Sequence, residues 1–172
     1  MKNYHVLKNA NIMKSDLHSE YVSSSPKPRF GKNNCIRQSL NSLFMIKKII
    51  TTNNAPSPIG PYNQAVLAGD TLYISGQIAI DPTNGELNNA SLQDETNQCM
   101  KNLQAILSEA GMTFLNVIKS TIFITDMKRF AEINEVYGSY FSTDFPARET
   151  VQVSALPKFV NVEISMIAVL QD

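Results

Sequence analysis

Alternation of apolar and polar residues is sharpest near the end of the chain. In Val162-Glu163-Ile164-Ser165-Met166-Ile167-Ala168-Val169, one face carries Val162, Ile164, Met166 and Ala168, and the other Glu163, Ser165, Ile167 and Val169. A period of two predicts a β-strand. Thr150-Val151-Gln152-Val153 alternates in the same way directly after Arg148, and Leu156-Pro157-Lys158 separates the two runs. They are expected to be adjacent strands, with a guanidinium at the mouth of one and a carboxylate inside the other. Glu163 sits between Val162 and Ile164, and a charge in such a place needs a partner or a chemical task.

Upstream, Ile46–Thr51 reads as a short strand. Asn53–Tyr62 reads as a loop, because Pro56, Pro58, Gly60 and Pro61 deny it regular hydrogen bonding. Gln64–Leu67 and Thr71–Ser75 flank Ala68-Gly69-Asp70, which predicts a hairpin, with Gly76 ending the second strand. Asp81-Pro82-Thr83-Asn84-Gly85 is a further turn. Ser91 and Asp94 resemble a capping box, after which Leu92, Cys99, Leu103, Ile106 and Ala110 recur at helical spacing up to Gly111. Val117–Thr125 is rich in β-formers. Asp126 is placed to cap a second helix whose stripe is Phe130, Ile133, Tyr137 and Tyr140.

The predicted order is β-β-β-α-β-α-β-β, an α+β fold with two helices on one face of a mixed sheet. Two helices cover one face only, while Ile167 and Val169 lie on the other. Other subunits are expected to cover that second face, which would set a site lined by Arg148 and Glu163 at a subunit boundary.

Charge divides the chain. Its formal net charge is zero, but residues 1–44 carry an excess of Lys and Arg and residues 45–172 an excess of Asp and Glu. His5 and His18 both lie in the first part, and Cys35 and Cys99 fall one in each. Residues 45–172 therefore cannot supply a Ser-His-Asp triad, a Cys-His pair, a zinc site of the usual ligands or an internal disulfide. A reducing, cytoplasmic setting fits, and no apolar run approaches a membrane span. Residues 1–44, rich in Ser, Asn and Lys, are expected to be disordered. They read either as an organelle transit peptide, making the protein organellar, or as a leader without a task ahead of a domain beginning at Met45.

Several motifs together carry a family resemblance. Ile59-Gly60-Pro61-Tyr62, Ser75-Gly76-Gln77, Phe145-Pro146-Ala147-Arg148, and Leu156-Pro157-Lys158 followed by Val162-Glu163-Ile164 resemble the RidA/YjgF family, also called L-PSP endoribonucleases, from about residue 46 onward. The resemblance implies a chorismate-mutase-like homotrimer with clefts between subunits. It implies hydrolysis of 2-imino acids and their enamines (2-aminoacrylate, 2-iminobutanoate, 2-iminopropanoate) to 2-keto acids and ammonia, without metal or cofactor. By position it makes Arg148 the carboxylate-binding group and Glu163 the water-handling group, with Tyr62, Ser75, Gly76, Asn134 and Thr150 at the substrate. Many members have cysteine where this chain has Thr150. If main-chain groups bind there, threonine serves, but an activity needing a thiol is absent.

Each residue also has a plainer reading. Arg148 can be a solvated charge or a surface ion pair, Glu163 a structural partner of a cation, Tyr62 a cover for the proline loop and Asn134 a backbone partner. Cys99 reads as core. Two rival functions remain. Endoribonuclease or translation-inhibitor activity is opposed by the acidic balance of residues 45–172 and their lack of histidine, so nucleic acid is not the expected partner. A non-catalytic small-ligand or chaperone-like module would use the same clefts.

Overall fold

The structure, a computed structural model, describes residues 47–170. The expectations for residues 1–44 lie outside this range. Eight regular elements follow in the predicted order: β1 (Lys47–Ile50), β2 (Ala65–Ala68), β3 (Thr71–Gln77), α1 (Leu92–Glu109), β4 (Val117–Ile124), α2 (Phe130–Ser139), β5 (Ala147–Gln152) and β6 (Val162–Val169). They form one six-stranded sheet in the order β1-β2-β3-β6-β4-β5. Only β4 and β5 run parallel; every other neighbouring pair is antiparallel.

The sheet order corrects one expectation. Strands β5 and β6 are not adjacent, because β4 lies between them. The β4–α2–β5 unit is a crossover, which parallel pairing requires, and it leaves β5 at the sheet edge. The segment after β5 then passes over the end of β4, where Thr125 N donates to Asn161 O at 3.1 Å. Arg148 is also inside its strand rather than ahead of it.

Alternation on β6 is fully realised: residues 162, 164, 166 and 168 are buried and the intervening ones half-buried. The buried set joins Leu72, Ile74, Ile122 and Ile124 in a face covered by Met100, Leu103, Ile106 and Leu107 of α1 and Ile133 and Tyr137 of α2. Burying each such large side chain stabilises the fold by about 1.5–3 kcal/mol. Ser91 caps α1 as expected, accepting from Asp94 N at 3.0 Å. Asp126 instead caps a short 3₁₀ turn, Met127–Arg129, and α2 proper starts one residue later. Among the described residues no helix lies over the opposite sheet face, and Tyr73 and Val151 stand exposed there.

Candidate active site: two half-clefts on opposite sheet faces

The predicted residues gather in two places. A cleft of about 340 Å³ is lined by Ile59, Tyr62, Ser75, Gly76, Ile78, Pro157 and Glu163. Another of about 370 Å³ is lined by Asn134, Tyr137, Gly138, Phe145, Pro146 and Arg148. Register explains the separation. Arg148 pairs with Ser120 on β4, whose hydroxyl faces α2, whereas Glu163 pairs with Phe123, three residues further along β4. An odd step along a strand reverses the face, so within one chain Arg148 and Glu163 point to opposite sides of the sheet.

The proline loop shapes the Glu163 cleft. Gln64 is buried, and its amide nitrogen donates to the carbonyls of Thr52, Ala55 and Pro56 at 3.0, 3.1 and 2.9 Å, while its oxygen accepts from Thr52 N at 2.7 Å. One side chain thus satisfies the backbone of a segment that cannot satisfy itself. The loop delivers Tyr62, whose hydroxyl accepts from Ile59 N at 3.3 Å and keeps its own proton free to donate. Ser75 is already occupied, its hydroxyl donating to Asn63 O at 2.7 Å. Gly76 lies in an irregular stretch of the β3–β6 pairing, where registry shifts between Ile74 and Gln77. Its φ is not in the left-handed region. Glycine is needed there for space: an added Cβ would overlap Glu163 Oε1 and lie 2.7 Å from Cδ.

Glu163 thus lies against the bare backbone of Gly76. Among the described residues it has no hydrogen-bond or ion-pair partner, and burial pushes its carboxyl above the ordinary range. A half-buried carboxylate without a partner is a costly arrangement, and such groups concentrate where acid–base work is done. The structural-partner reading of Glu163 therefore finds no cation among the described residues.

Arg148 is held as a flat fork. Nη1 donates to Asn134 Oδ1 at 2.7 Å, and Cζ lies 5.4 Å from the Phe130 ring centre and 5.1 Å from that of Tyr137. Stacking on rings fixes the guanidinium plane while leaving its other N–H groups available. Tyr137 is itself fixed by donating to Ser120 Oγ at 3.0 Å, and burial raises its hydroxyl pKa, with that bond and Arg148 opposing the shift. Asn134 therefore orients Arg148. Phe130 and Tyr137 were legible only as a core stripe, yet Phe130, Asn134 and Tyr137 at i, i+4 and i+7 form one helix face that could have been matched to a cation.

Thr150 lies on the Arg148 side of the sheet, its Oγ1 buried without a partner among the described residues. Val153 N donates to Ile124 O at 2.9 Å, towards β4. Main-chain directions alternate along a strand, so the N–H and C=O groups of Arg148 and Thr150 point out of the open edge. Cys99 is fully buried, with its thiol pKa pushed up by burial and by the carboxylates of Glu95 and Glu163.

The described residues thus form one mixed sheet with two helices on one face, with an arginine fork in one cleft and a glutamate without a partner in the other. A family profile described as "Endoribonuclease L-PSP" matches residues 52–170. The chain is 50% identical over 123 residues to a RutC family protein of Pyrococcus horikoshii, covering 72% of this chain and 98% of that one. It is 46% identical over 125 residues to human 2-iminobutanoate/2-iminopropanoate deaminase, covering 73% and 91%. Among solved structures, Escherichia coli TdcF with bound serine superposes with a TM-score of 0.70 at 45% identity, covering 72% of this chain and 99% of that one. RidA from the Antarctic bacterium Psychrobacter gives 0.70 at 41% identity, with the same coverage. The chain belongs to the RidA/YjgF family, the L-PSP family of that profile.

Proposed function

We propose that this protein hydrolyses small 2-imino acids and their enamine tautomers to 2-keto acids and ammonia, in a site that two copies of the chain complete. The observation that carries the proposal is the pairing of an oriented, half-engaged Arg148 with a half-buried Glu163 that has no partner among the described residues. They face opposite sides of one sheet, so a single small substrate can meet both only across a boundary between protomers. The sheet face that no described helix covers, with Tyr73 and Val151 exposed, and the edge of β5 left open by the described strands supply surfaces for that boundary. A homotrimer is the assembly the family resemblance suggests.

The chemistry follows from these groups. Arg148 grips the substrate carboxylate through charge-assisted hydrogen bonds, with the outward N–H of Thr150 as a further donor. That fixes the C=N carbon over the Glu163 cleft of the neighbouring copy. Glu163 takes a proton as water attacks that carbon, and its raised pKa makes it a stronger base. The tetrahedral carbinolamine then breaks its C–N bond. Glu163 passes the first proton to the nitrogen as the carbinolamine forms, then takes the carbinolamine hydroxyl proton and delivers it to the departing amine as the C=O forms, so water and imine are converted to keto acid and ammonia with no net change in the protein. Tyr62, whose hydroxyl proton is free, can donate to the developing charge. Ile59, Ile78 and Pro157 give the cleft an apolar wall suited to a short aliphatic side chain.

Similarity supports the same reading: the human relative is named for this deamination, and TdcF holds serine, a small carboxylate-bearing molecule. Endoribonuclease activity, the label of the family profile, is the rival reading; among the described residues neither cleft is lined by a histidine for general acid–base cleavage of RNA. The test is a coupled assay in which a threonine dehydratase generates 2-iminobutanoate and keto-acid appearance is followed. The parent chain accelerates the final step; no acceleration by pure protein over buffer sinks the proposal.

A further inference from the structure

Among the described residues Glu95 is the only buried charged side chain, 1% exposed, and the reaction scheme gives it no task. It lies in the first turn of α1, on the covered side of the sheet. Oε2 accepts from Asn161 N at 3.0 Å and Oε1 from Asn161 Nδ2 at 2.9 Å, so both oxygens are committed to one residue. Asn161 is gripped from the other side as well, its carbonyl accepting from Thr125 N at 3.1 Å and its Oδ1 from Thr125 Oγ1 at 3.3 Å. The chain is thus pinned between α1 and the end of β4 immediately before β6 begins.

What this pin holds is the Glu163 cleft. Glu163 follows two residues later, and Pro157, a wall of the cleft, precedes by four. Between them Lys158 and Phe159 have φ of 54° and 57°, a left-handed conformation that side chains of this bulk oppose. Phe159 is 90% exposed, so its own burial does not hold the turn in place. The opposite wall is tied to the same helix: Asn102 Nδ2 donates to Ile78 O at 3.2 Å and Ile80 O at 3.0 Å, and Gln98 Nε2 braces Asn102 Oδ1 at 2.9 Å.

We propose that Glu95 is a positioning residue for the deamination, its two hydrogen bonds to Asn161 setting where the Glu163 carboxylate meets the substrate. This rests on the reading of Glu163 as the water-handling group. A carboxylate is suited to the task because it accepts at both oxygens, whereas an amide accepts at one.

The test compares Glu95→Gln, Asn161→Ala and the double variant Glu95→Gln/Asn161→Asp with the parent and with Glu163→Gln, in the coupled imine assay. In Glu95→Gln one Asn161 donor loses its acceptor. Expected is a fall in kcat of about tenfold or more with KM held within about twofold, because Arg148 is untouched. The double variant lets the new amide donate to the new carboxylate while the main-chain bond persists, and kcat recovers. A folded Glu95→Gln with parental kcat, or a double variant without recovery, overturns the proposal. If Glu95→Gln does not fold, Asn161→Ala decides, since residue 161 is exposed and its main-chain bond to Glu95 persists while the Nδ2 bond to Glu95 and the Oδ1 contact with Thr125 are lost. A fall in kcat larger than that of Thr125→Val, which loses the Oδ1 contact alone, supports the proposal, and parental kcat or a fall no larger than that of Thr125→Val overturns it. Glu163→Gln separates the layers. If it keeps the parental rate, the underlying reading fails; if it is inactive while Glu95→Gln and Asn161→Ala are parental, only the positioning role fails.

Discussion

Replacing Gly76 by alanine tests the site's geometry at the level of one methyl group. The new Cβ would lie 2.7 Å from Cδ and 3.0 Å from Cγ of Glu163 and would overlap Oε1. Carbon atoms pack at about 3.5–4.0 Å, so the carboxylate must retreat by roughly 1 Å or rotate out of the cleft. A displacement of that size costs about a hundredfold in rate, equivalent to about 2.7 kcal/mol of barrier. The fold should suffer far less. Glu163 is half-buried and the clash meets the movable end of its side chain, so the destabilisation falls near the low end for overpacking, about 1 kcal/mol. Steady-state kinetics on enzymatically generated 2-iminobutanoate, paired with urea unfolding, measures both. The same substitution in a Glu163→Gln background should cost no further activity, because its effect runs through that carboxylate. Parental kcat in Gly76→Ala, or full additivity with Glu163→Gln, would refute the reasoning.

Other expectations follow from the same geometry. Arg148→Ala abolishes saturable imine hydrolysis while costing about 1 kcal/mol or less of stability, since an exposed cation over rings contributes little; Arg148→Lys does not restore activity, because an ammonium cannot present a planar fork. Activity declines towards acid pH as Glu163 takes up a proton, with a midpoint above the free-glutamate value of about 4.3, in line with its upward shift. For stability the sign is the reverse: a folded pKa raised above the unfolded one makes the Glu163 contribution greatest at acid pH, and it is lost as pH rises through the folded value. Glu163→Gln should therefore raise Tm relative to the parent at about pH 8, a difference that vanishes near about pH 4. Finally, with Cys35 replaced by serine, Cys99 should resist thiol reagents in the folded chain and react on unfolding, because burial holds its thiol protonated; rapid labelling of native protein would contradict this.

The element order was legible in the sequence because each element carries a strong local signal: period two on β6, period 3.6 and a cap on α1, and proline and glycine punctuation between β1 and β2. The pairing order was not. The segment between β5 and β6 reads as a break between adjacent strands, and nothing in its residues says that it steps over the end of β4. That step brings Asn161 to Glu95, far apart in sequence and joined only in the fold. For the same reason the sequence identified Arg148 and Glu163 as unusual charges without showing that they face opposite ways, since face follows from register with β4. The alternation of β5 was also misleading. Its apolar Val151 is exposed on the open face, while Thr150 faces the helix side. On an isolated edge strand that inversion is unfavourable, and it makes sense where another chain covers the open face.

The claim that one active site draws on two copies is tested most directly by complementation. Arg148→Ala and Glu163→Gln chains, each inactive alone, are unfolded together in equal amounts and refolded as mixed assemblies. Random mixing in a closed ring places an intact arginine opposite an intact glutamate in about a quarter of the sites, so about a quarter of the parental rate should return. If mixed assemblies form, verified by mass, and no activity returns, then both groups act within one protomer or not at all, and the account is wrong.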